Sequence, residues 1–265
     1  MTAEYREVEE AIASLLTTAP QSLAPGVLAE IGLADRYAHI DSPIGALVVA
    51  WNGLGVSAVE AAGGDVRFEA SHEARTGRRA IRAERLPNGL ERAIRRRLSG
   101  DRRVRIDLDL RGRTDFERDV WQKALEIPRG EVRPYGWVAA EIGRPRAVRA
   151  VGTALGHNPV PLIVPCHRVV RSDGMIGQYS LGGPENKRTI LAAEGLDPDR
   201  LESEARAGIR FVGSDTTRAV CLPTCHNAKR ITPAHRVPFR SLPAAIVAGY
   251  RPCRVCRPGS GAMAA

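Results

Sequence analysis

Five cysteines divide the reactive residues of this chain into two sets. Cys166 stands alone between Pro165 and His167, whereas Cys221, Cys225, Cys253 and Cys256 crowd into the last 45 residues. An odd count distributed in this way argues against a disulfide framework. The spacing is instead that of a metal site: Cys221-x3-Cys225, then 27 residues, then Cys253-x2-Cys256. Four thiolates favour tetrahedral Zn2+. A segment of about 50 residues also has too little core to fold comfortably without such a staple. His226 and His235 are further candidate ligands, although four cysteines already complete the set.

Cys166 poses a different problem. A free thiol has a pKa of about 8.5, so only a small fraction is thiolate near neutrality, and a thiol nucleophile needs a base. His167 is the nearest candidate. Adjacent residues rarely have side chains in direct contact, so a bridging water would carry the proton between them. His167 in turn needs an acidic partner to set its tautomer and stabilise the imidazolium. Glu194 is a candidate for an indirect reason: it sits at the C-terminal end of a helix, where its charge opposes the macrodipole and another interaction should hold it.

The elements that must place these residues follow from patterning. Residues 1–35 read as an amphipathic helix (Val8, Ile12, Leu15, Leu16), a Pro-containing break and a second short helix, forming an appendage. From Tyr37 the pattern becomes β: GALVVAW and GVSAVEAA flank a turn at Asn52-Gly53. Gly63 to Gly77 reads as a polar connection, Asn88 to Leu98 as an Arg-rich helix, and VRIDLDL as another strand. Helices take over at Thr114, where Phe116, Val120, Trp121, Ala124 and Leu125 share a face before Pro128-Arg129-Gly130 stops the helix. Two short helices, about Tyr135 to Ile142 and Pro145 to Leu155, have the layout of a helix-turn-helix with Arg149 opposite the buried Val151. The apolar run LIV then leads, strand-like, into Pro165-Cys166-His167-Arg168, and a last helix runs from Pro184 to about Glu194. Residues 197–209 are polar enough for a linker. In the cysteine segment, Ser241 caps a short helix, LPAAIVA, that Gly249 ends.

Composition limits the function classes. The 265 residues are 43% hydrophobic and 26% charged, as expected of a soluble globular chain of about two domains. No run approaches the 18 or more apolar residues of a membrane span. The N-terminal apolar pattern carries acids, unlike a signal or transit peptide, so a cytoplasmic location is expected. The net charge of +9 points to a polyanionic partner. Residues 75–113 alone hold fourteen arginines against five acids, a solvated helix face and basic strand unless other features indicate nucleic acid.

At Cys166 the sequence resembles the methylated-DNA:protein-cysteine methyltransferases. The resemblance covers about residues 36–200 and is carried by NPVPLIVPCHRVV, GMIGQYSLGG, K-x-x-x-L-x-x-E-G and RAVRAVG. It implies an α+β fold: a small mixed-sheet domain (36–113), then a mainly helical catalytic and DNA-binding domain with a helix-turn-helix (114–198). It also implies that Cys166 accepts a methyl group, activated through water by His167, with Glu194 completing the relay and Asn158 holding the active-site turn. Arg149 matches the arginine that fills the space of an extruded nucleotide, and Tyr135 the tyrosine that crowds the target phosphate. Pro161, Tyr179 and Ser180 fall where the family lines the guanine pocket, and Gly152 matches a small residue that lets the helix approach DNA. The implied activity is stoichiometric removal of methyl from O6-methylguanine, with O4-methylthymine as a further substrate, in nucleotides flipped out of duplex DNA. Binding would be in the minor groove, indifferent to sequence, by a monomer with no organic cofactor. In that family the N-terminal half is a supporting domain, which lowers the expected DNA role of the 75–113 arginines.

After a linker (199–209), residues 210–258 resemble the zinc-binding methyl-phosphotriester repair domain of the Ada response protein, through Phe211, Thr216-Thr217, Cys221-x-Pro223-Thr224-Cys225 and Ala248-Gly249-Tyr250-Arg251-Pro252-Cys253-x-x-Cys256. The resemblance implies one Zn2+ and makes Cys221 a second methyl acceptor. A tetrathiolate zinc is formally −2, which repels phosphodiesters and is compatible with a neutral triester. Two departures stand out. The module follows the alkyltransferase, with no AraC-like helices to read a promoter, so a transcriptional role is not expected. Leu222 replaces the arginine usual between Cys221 and Pro223. A purely structural zinc knob is the alternative for this segment, and 259–265 reads as a disordered tail. Three competing readings are weaker. A cysteine/histidine hydrolase lacks oxyanion-hole glycines, a lesion-flagging protein would lack the thiol of Cys166, and an alkylation sensor would need the promoter-reading domain.

Overall fold

A computed structural model describes residues 23–259; the expected helix around Val8 to Leu16 and the tail after Gly259 lie outside them. The chain is α+β. Helix α1 (Leu23–Glu30) precedes an antiparallel meander of β1 (Asp35–Ser42), β2 (Gly45–Asn52) and β3 (Gly55–Ala61). The turn between β2 and β3 requires glycine: a Cβ on Gly53 would lie 1.7 Å from the Glu30 carbonyl oxygen. Through that approach Gly53 N–H donates to Ala29 O, so α1 is docked on the sheet and is not a loose appendage.

The polar stretch expected to be a connection is instead helix α2 (Asp65–Thr76), and it leads to β4 (Ala80–Arg82), which pairs parallel to β1. Its inward face is Phe68 and His72, and His72 is buried because it binds Asp35 at 2.7 Å. A histidine in an apolar seat hides the helical stripe. Helix α3 (Asn88–Leu98) forms as expected, but VRIDLDL does not pair as a strand. It meets β3 at one bridge, Val56 to Leu108, after which Asp109 turns inward to Asn52, Arg78 and Arg111.

Many arginines of this unit are used internally. Arg75 pairs with Glu60, Arg82 with Asp65, Arg95 with Glu91 and Arg96 with Asp101. Arg97 and Arg102 donate to Leu125 O and Glu126 O at the end of the next helix, where its carbonyls lack partners. That helix, α4 (Asp115–Leu125), starts with a capping box in which Thr114 and Glu117 bond reciprocally. Its Trp121 is buried and donates to Ala154 O at 2.8 Å, tying it to the helix-turn-helix.

The helix-turn-helix comprises α5 (Tyr135–Glu141), preceded by the two-residue β5 (Arg133–Pro134), and α6 (Val148–Gly156). The second helix starts at Val148 and not at Pro145, because residues 144–147 close a turn through Ala147 N–H to Arg144 O. The LIV run is not a strand either. It is a tight loop with Leu162 at φ 72°, closed by a bridge between Pro161 and Val164. Positive φ at a branched residue costs on the order of 1–3 kcal/mol and persists only where surroundings enforce it. Cys166–Arg168 then forms a single 3-10 turn before β6 (Val169–Val170), which pairs parallel to β5, and α7 (Gly183–Ala193) follows.

The segment expected to link two units is helix α8 (Pro198–Arg206), capped by Asp197. Leu201 and Ala205, four residues apart, are buried, and Leu201 joins a cluster with Val132, Val170, Ile176, Leu191 and Leu196. The last unit is a four-stranded sheet in the order β10-β8-β7-β9: β7 (Phe211–Ser214), β8 (Ala219–Cys221), β9 (Arg236–Phe239) and β10 (Arg251–Pro252). Its helices are α9 (His226–Lys229) and α10 (Leu242–Val247), the latter capped by Ser241 as the sequence indicates. One hydrophobic core runs from Val49 and Trp51 through Trp121, Trp137 and Val151 to Cys221, Leu222 and Cys256. The cysteine unit is therefore packed onto the rest of the molecule.

Candidate functional site

Cys166 is 5% exposed and sits at the first position of the 3-10 turn. Asn158 builds the floor beneath it. Its Nδ2 donates to Val164 O at 3.0 Å and to Cys166 Sγ at 3.1 Å, while its Oδ1 accepts from Val160 N–H. One side chain thus closes the strained loop and touches the sulfur. Burial pushes the Cys166 thiol up from its ordinary pKa, and the Asn158 bond and the Lys187 charge pull it back. At rest the group is a thiol held next to a donor that favours the thiolate.

His167 is buried, and its Nε2 lies 2.9 Å from Glu194 Oε1. Since a carboxylate only accepts, Nε2 carries the proton and Nδ1 keeps its lone pair. Nδ1 is buried and has no hydrogen-bond partner among the described residues. Burial lowers the His167 pKa, with Glu194 opposing, so the ring is neutral near pH 7 and available as a base. Glu194 caps α7, as its opposition to the helix dipole suggested it must be held. His167, Arg168 and the Gly130 N–H (3.1 Å to Oε2) hold it. Despite burial, these bonds bring its pKa down to about 2.

The other expected site residues fall into four groups. Tyr179 packs edge-on against His167, with ring centroids 6.2 Å apart, and its buried hydroxyl has no partner among the described residues. Pro161 and Ser180 line a cleft of about 420 Å3 together with Asn158. Tyr135 is half-buried at the start of α5, its pKa raised by burial and by the neighbouring Cys166. A Cβ on Gly152 would meet only Tyr135 Cε1, at 4.0 Å, so the fold itself does not require glycine there. Arg149 stands apart, exposed on the outer face of α6 beside Val148, Ala150 and Thr153.

Two residues were missed by sequence reasoning. Arg168 grips both oxygens of Glu194 and donates to Ile127 O at 2.7 Å, and its signal was only its place after Cys166-His167. Lys187 is 1% exposed, donates to Val169 O at 2.6 Å and Gln178 O at 3.3 Å, and has its pKa lowered to about 8 by burial. Its signal was a lysine seven residues before Glu194, two turns along one helix face. Because its charge favours the Cys166 thiolate, Lys187→Met is expected to raise the pH midpoint of Cys166 alkylation by iodoacetamide. An unchanged midpoint would show that the lysine only shapes the loop.

The Sγ atoms of Cys221, Cys225, Cys253 and Cys256 lie within 4.8 Å of one another, and all four residues are buried. Tetrahedral Zn–S bonds of about 2.3 Å place sulfurs roughly 3.8 Å apart, so the set fits zinc. Leu222 N–H donates to Cys256 Sγ and Asn227 Nδ2 to Cys253 Sγ, as supporting donors do around metal thiolates. His226 and His235 do not join; His235 pairs with Asp215. Leu222 is 7% exposed and belongs to the main core, so the position expected to have lost a phosphate contact faces protein.

Comparisons with known proteins show what the chain is similar to. A model of the 6-O-methylguanine DNA methyltransferase DNA binding domain matches residues 115–196, and one of the metal binding domain of Ada matches residues 201–259. The methylated-DNA–protein-cysteine methyltransferase of Mycobacterium bovis is 53% identical over 89 residues, covering 34% of this chain and 53% of that protein. That of Methanosarcina barkeri is 37% identical over 147 residues, covering 55% of this chain and 89% of that protein. The chain spans about half the length of its mycobacterial and Salmonella relatives. The crystal structure of Mycobacterium tuberculosis OGT in complex with DNA matches with a TM-score of 0.50 at 36% identity, covering 62% of this chain and 94% of that one. Among the described residues, no helix is long and apolar enough to cross a membrane.

Proposed function

Because the chain belongs to the methylated-DNA–protein-cysteine methyltransferase family, we propose that it repairs DNA by moving the methyl group of O6-methylguanine irreversibly onto Cys166. The observation that carries this reading is the pair of contacts Asn158–Cys166 and His167–Glu194: a buried thiol bonded to a donor that favours its anion, followed in the chain by a neutral base held by a carboxylate. The thiol proton passes through water to His167 Nδ1. The S–C bond then forms as the C–O6 bond breaks, the electron pair leaves onto guanine, and guanine takes up a proton. The Tyr179 hydroxyl supplies a donor near the base, and Pro161 and Ser180 line its pocket. The thioether is not hydrolysed, so one molecule repairs one lesion. O4-methylthymine is accepted by the same displacement.

The lesion must leave the base stack, at a cost of a few kcal/mol, before a buried sulfur can reach it. The outer face of α6, where Arg149 is exposed beside Ala150 and Thr153, suits close approach in the minor groove without base readout, and Tyr135 lies near both Gly152 and Cys166. Arg149→Ala is expected to slow transfer from duplex DNA by about 10-fold or more while transfer from free O6-methylguanine base is unchanged, in single-turnover assays. An equal loss on both substrates would place Arg149 outside the flipping step.

A second acceptor is supported by one feature. Cys221 is the zinc-set cysteine that lines a cleft of about 450 Å3 with Thr216, Thr217, Arg230 and His235. A bound Zn2+ would hold the four cysteines as thiolates, and Cys221 would take methyl from a neutral phosphotriester in this cleft. Both readings are tested by incubating the protein with lesion-bearing duplexes and mapping the mass change by peptide. A gain of roughly 14 Da, one CH2, belongs on the Cys166 peptide for O6-methylguanine and on the Cys221 peptide for the methyl phosphotriester. An intact O6-methylguanine lesion with unmodified Cys166 would overturn the main reading, and methyl confined to Cys166 leaves the zinc unit structural.

A further inference from the structure

The loop that holds the relay carboxylate is itself held by the zinc unit. Gly130, within the α4–β5 loop, donates its N–H to Glu194 Oε2 at 3.1 Å, and its carbonyl accepts from Lys229 Nζ at 2.8 Å. Its neighbours are gripped from the same side. Glu131 Oε1 accepts from the His226 N–H at 2.9 Å, and Thr224 Oγ1 bonds both Val132 N–H and Val132 O. Trp137 Nε1, on α5, donates to Cys256 O at 2.9 Å. Gly130 has φ 71°, and a Cβ there would lie 2.9 Å from Glu194 O and 3.4 Å from Lys229 Nζ. At this point the backbone leaves no room for a side chain between Glu194 and Lys229.

Thr224, His226 and Lys229 all lie on the short stretch around Cys225, and Lys229 N–H bonds Cys225 O to close that turn. We infer that the cysteine unit is a positioning element for the Cys166 site, in which Lys229 and Gly130 transmit the position of the Cys225 turn to Glu194 and hence to His167. The inference rests on Cys166 as acceptor. Glu194 is a suitable receiver because its two oxygens are shared: Oε1 takes His167 and Arg168, and Oε2 takes Gly130 and Arg168. Releasing Gly130 leaves Oε2 to Arg168 alone and lets the carboxylate turn away from His167. Around this point the charged groups are Arg168 with Arg97 beyond it, Arg129 (donating to Ala193 O), Lys229, Glu131 with its partner Arg133 and, across the thiol, Lys187. Coupling of this kind is reciprocal and, between sites in packed proteins, commonly corresponds to a 5- to 150-fold effect.

The test uses the full zinc-loaded chain carrying Lys229→Ala, with Lys229→Arg as the rescue. Lys229 is exposed, so the fold should survive. Two readouts need no DNA: amide hydrogen exchange at Gly130, and the pH profile of Cys166 alkylation by iodoacetamide followed on its own peptide. Lys229→Ala is expected to speed exchange at Gly130 and to move the alkylation profile, with the rate at pH 7 falling at least about fivefold. Lys229→Arg, which still donates to Gly130 O, is expected to restore both. An alkylation profile unchanged in Lys229→Ala would overturn the inference, even if methyl transfer is robust. A shifted profile in a protein whose wild type takes no methyl would instead uphold the coupling and overturn the proposed function.

Discussion

Cys166→Ala is expected to abolish methyl transfer from O6-methylguanine duplexes while leaving duplex binding within about twofold of wild type, as phosphate contacts dominate affinity. The effect is all or none because, in the proposed reaction, the thiol is a reactant consumed in the step, not a group that merely lowers its barrier. Alanine removes the proposed acceptor atom, and the substitution deletes no charge and no second hydrogen bond, since Asn158 keeps its bond to Val164 O. The loop that presents the site therefore remains closed. Gel-shift titration and peptide mass mapping on the same preparation separate the two properties. Continued methyl uptake elsewhere on O6-methylguanine DNA would mean that the wrong acceptor has been named.

Glu194→Gln is the second large effect, and it acts on stability and chemistry together. The Glu194 side chain is 7% exposed, and the Arg168 guanidinium beside it is 8% exposed. Removing one partner of a buried ion pair leaves the other charge uncompensated, at a cost of about 3–5 kcal/mol. For a chain of this size that lowers Tm by about 10 °C. Transfer should fall by about 10²-fold, because a neutral amide stabilises the His167 imidazolium poorly and no longer fixes the lone pair on Nδ1. The pH dependence has a definite sign. The folded pKa of Glu194 is about 2, below its ordinary 4.5. Its stabilisation is therefore complete above about pH 4.5 and is lost as pH falls toward 2, amounting to about 3 kcal/mol. The variant should lack this acid-side loss. Thermal denaturation from pH 7 down to pH 3 measures it, and parallel curves for variant and wild type would contradict the assignment.

Much of the site was legible in the chain because its residues are local or lie on regular elements. Cys166 and His167 are adjacent, Asn158 is eight positions upstream, and two cysteine pairs with short internal spacing announce a metal whatever surrounds them. Glu194 was found by a misfit, a negative charge at a helix C-terminus, which a partner has to explain. The misreadings share a cause. Helix α2 was hidden because its buried positions include His72, whose partner Asp35 is 37 residues away. Helix α8 was read as linker because its apolar stripe is only Leu201 and Ala205, enough when Val132 and Val170 complete the cluster. The LIV run has strand composition, yet one asparagine side chain folds it into a loop.

The residue types and their spacing settle which groups can react, since a thiol beside an imidazole and a four-thiolate set are properties of covalent structure. What they do not settle is how far apart those sets act. Packing decides that: Trp137 bonds Cys256 O, and Gly130 fits between Lys229 and Glu194, contacts between residues 64 to 119 positions apart. Such contacts depend on which faces remain apolar after every local element has formed, and a common core from Trp51 to Cys256 exists only once all three units fold against one another.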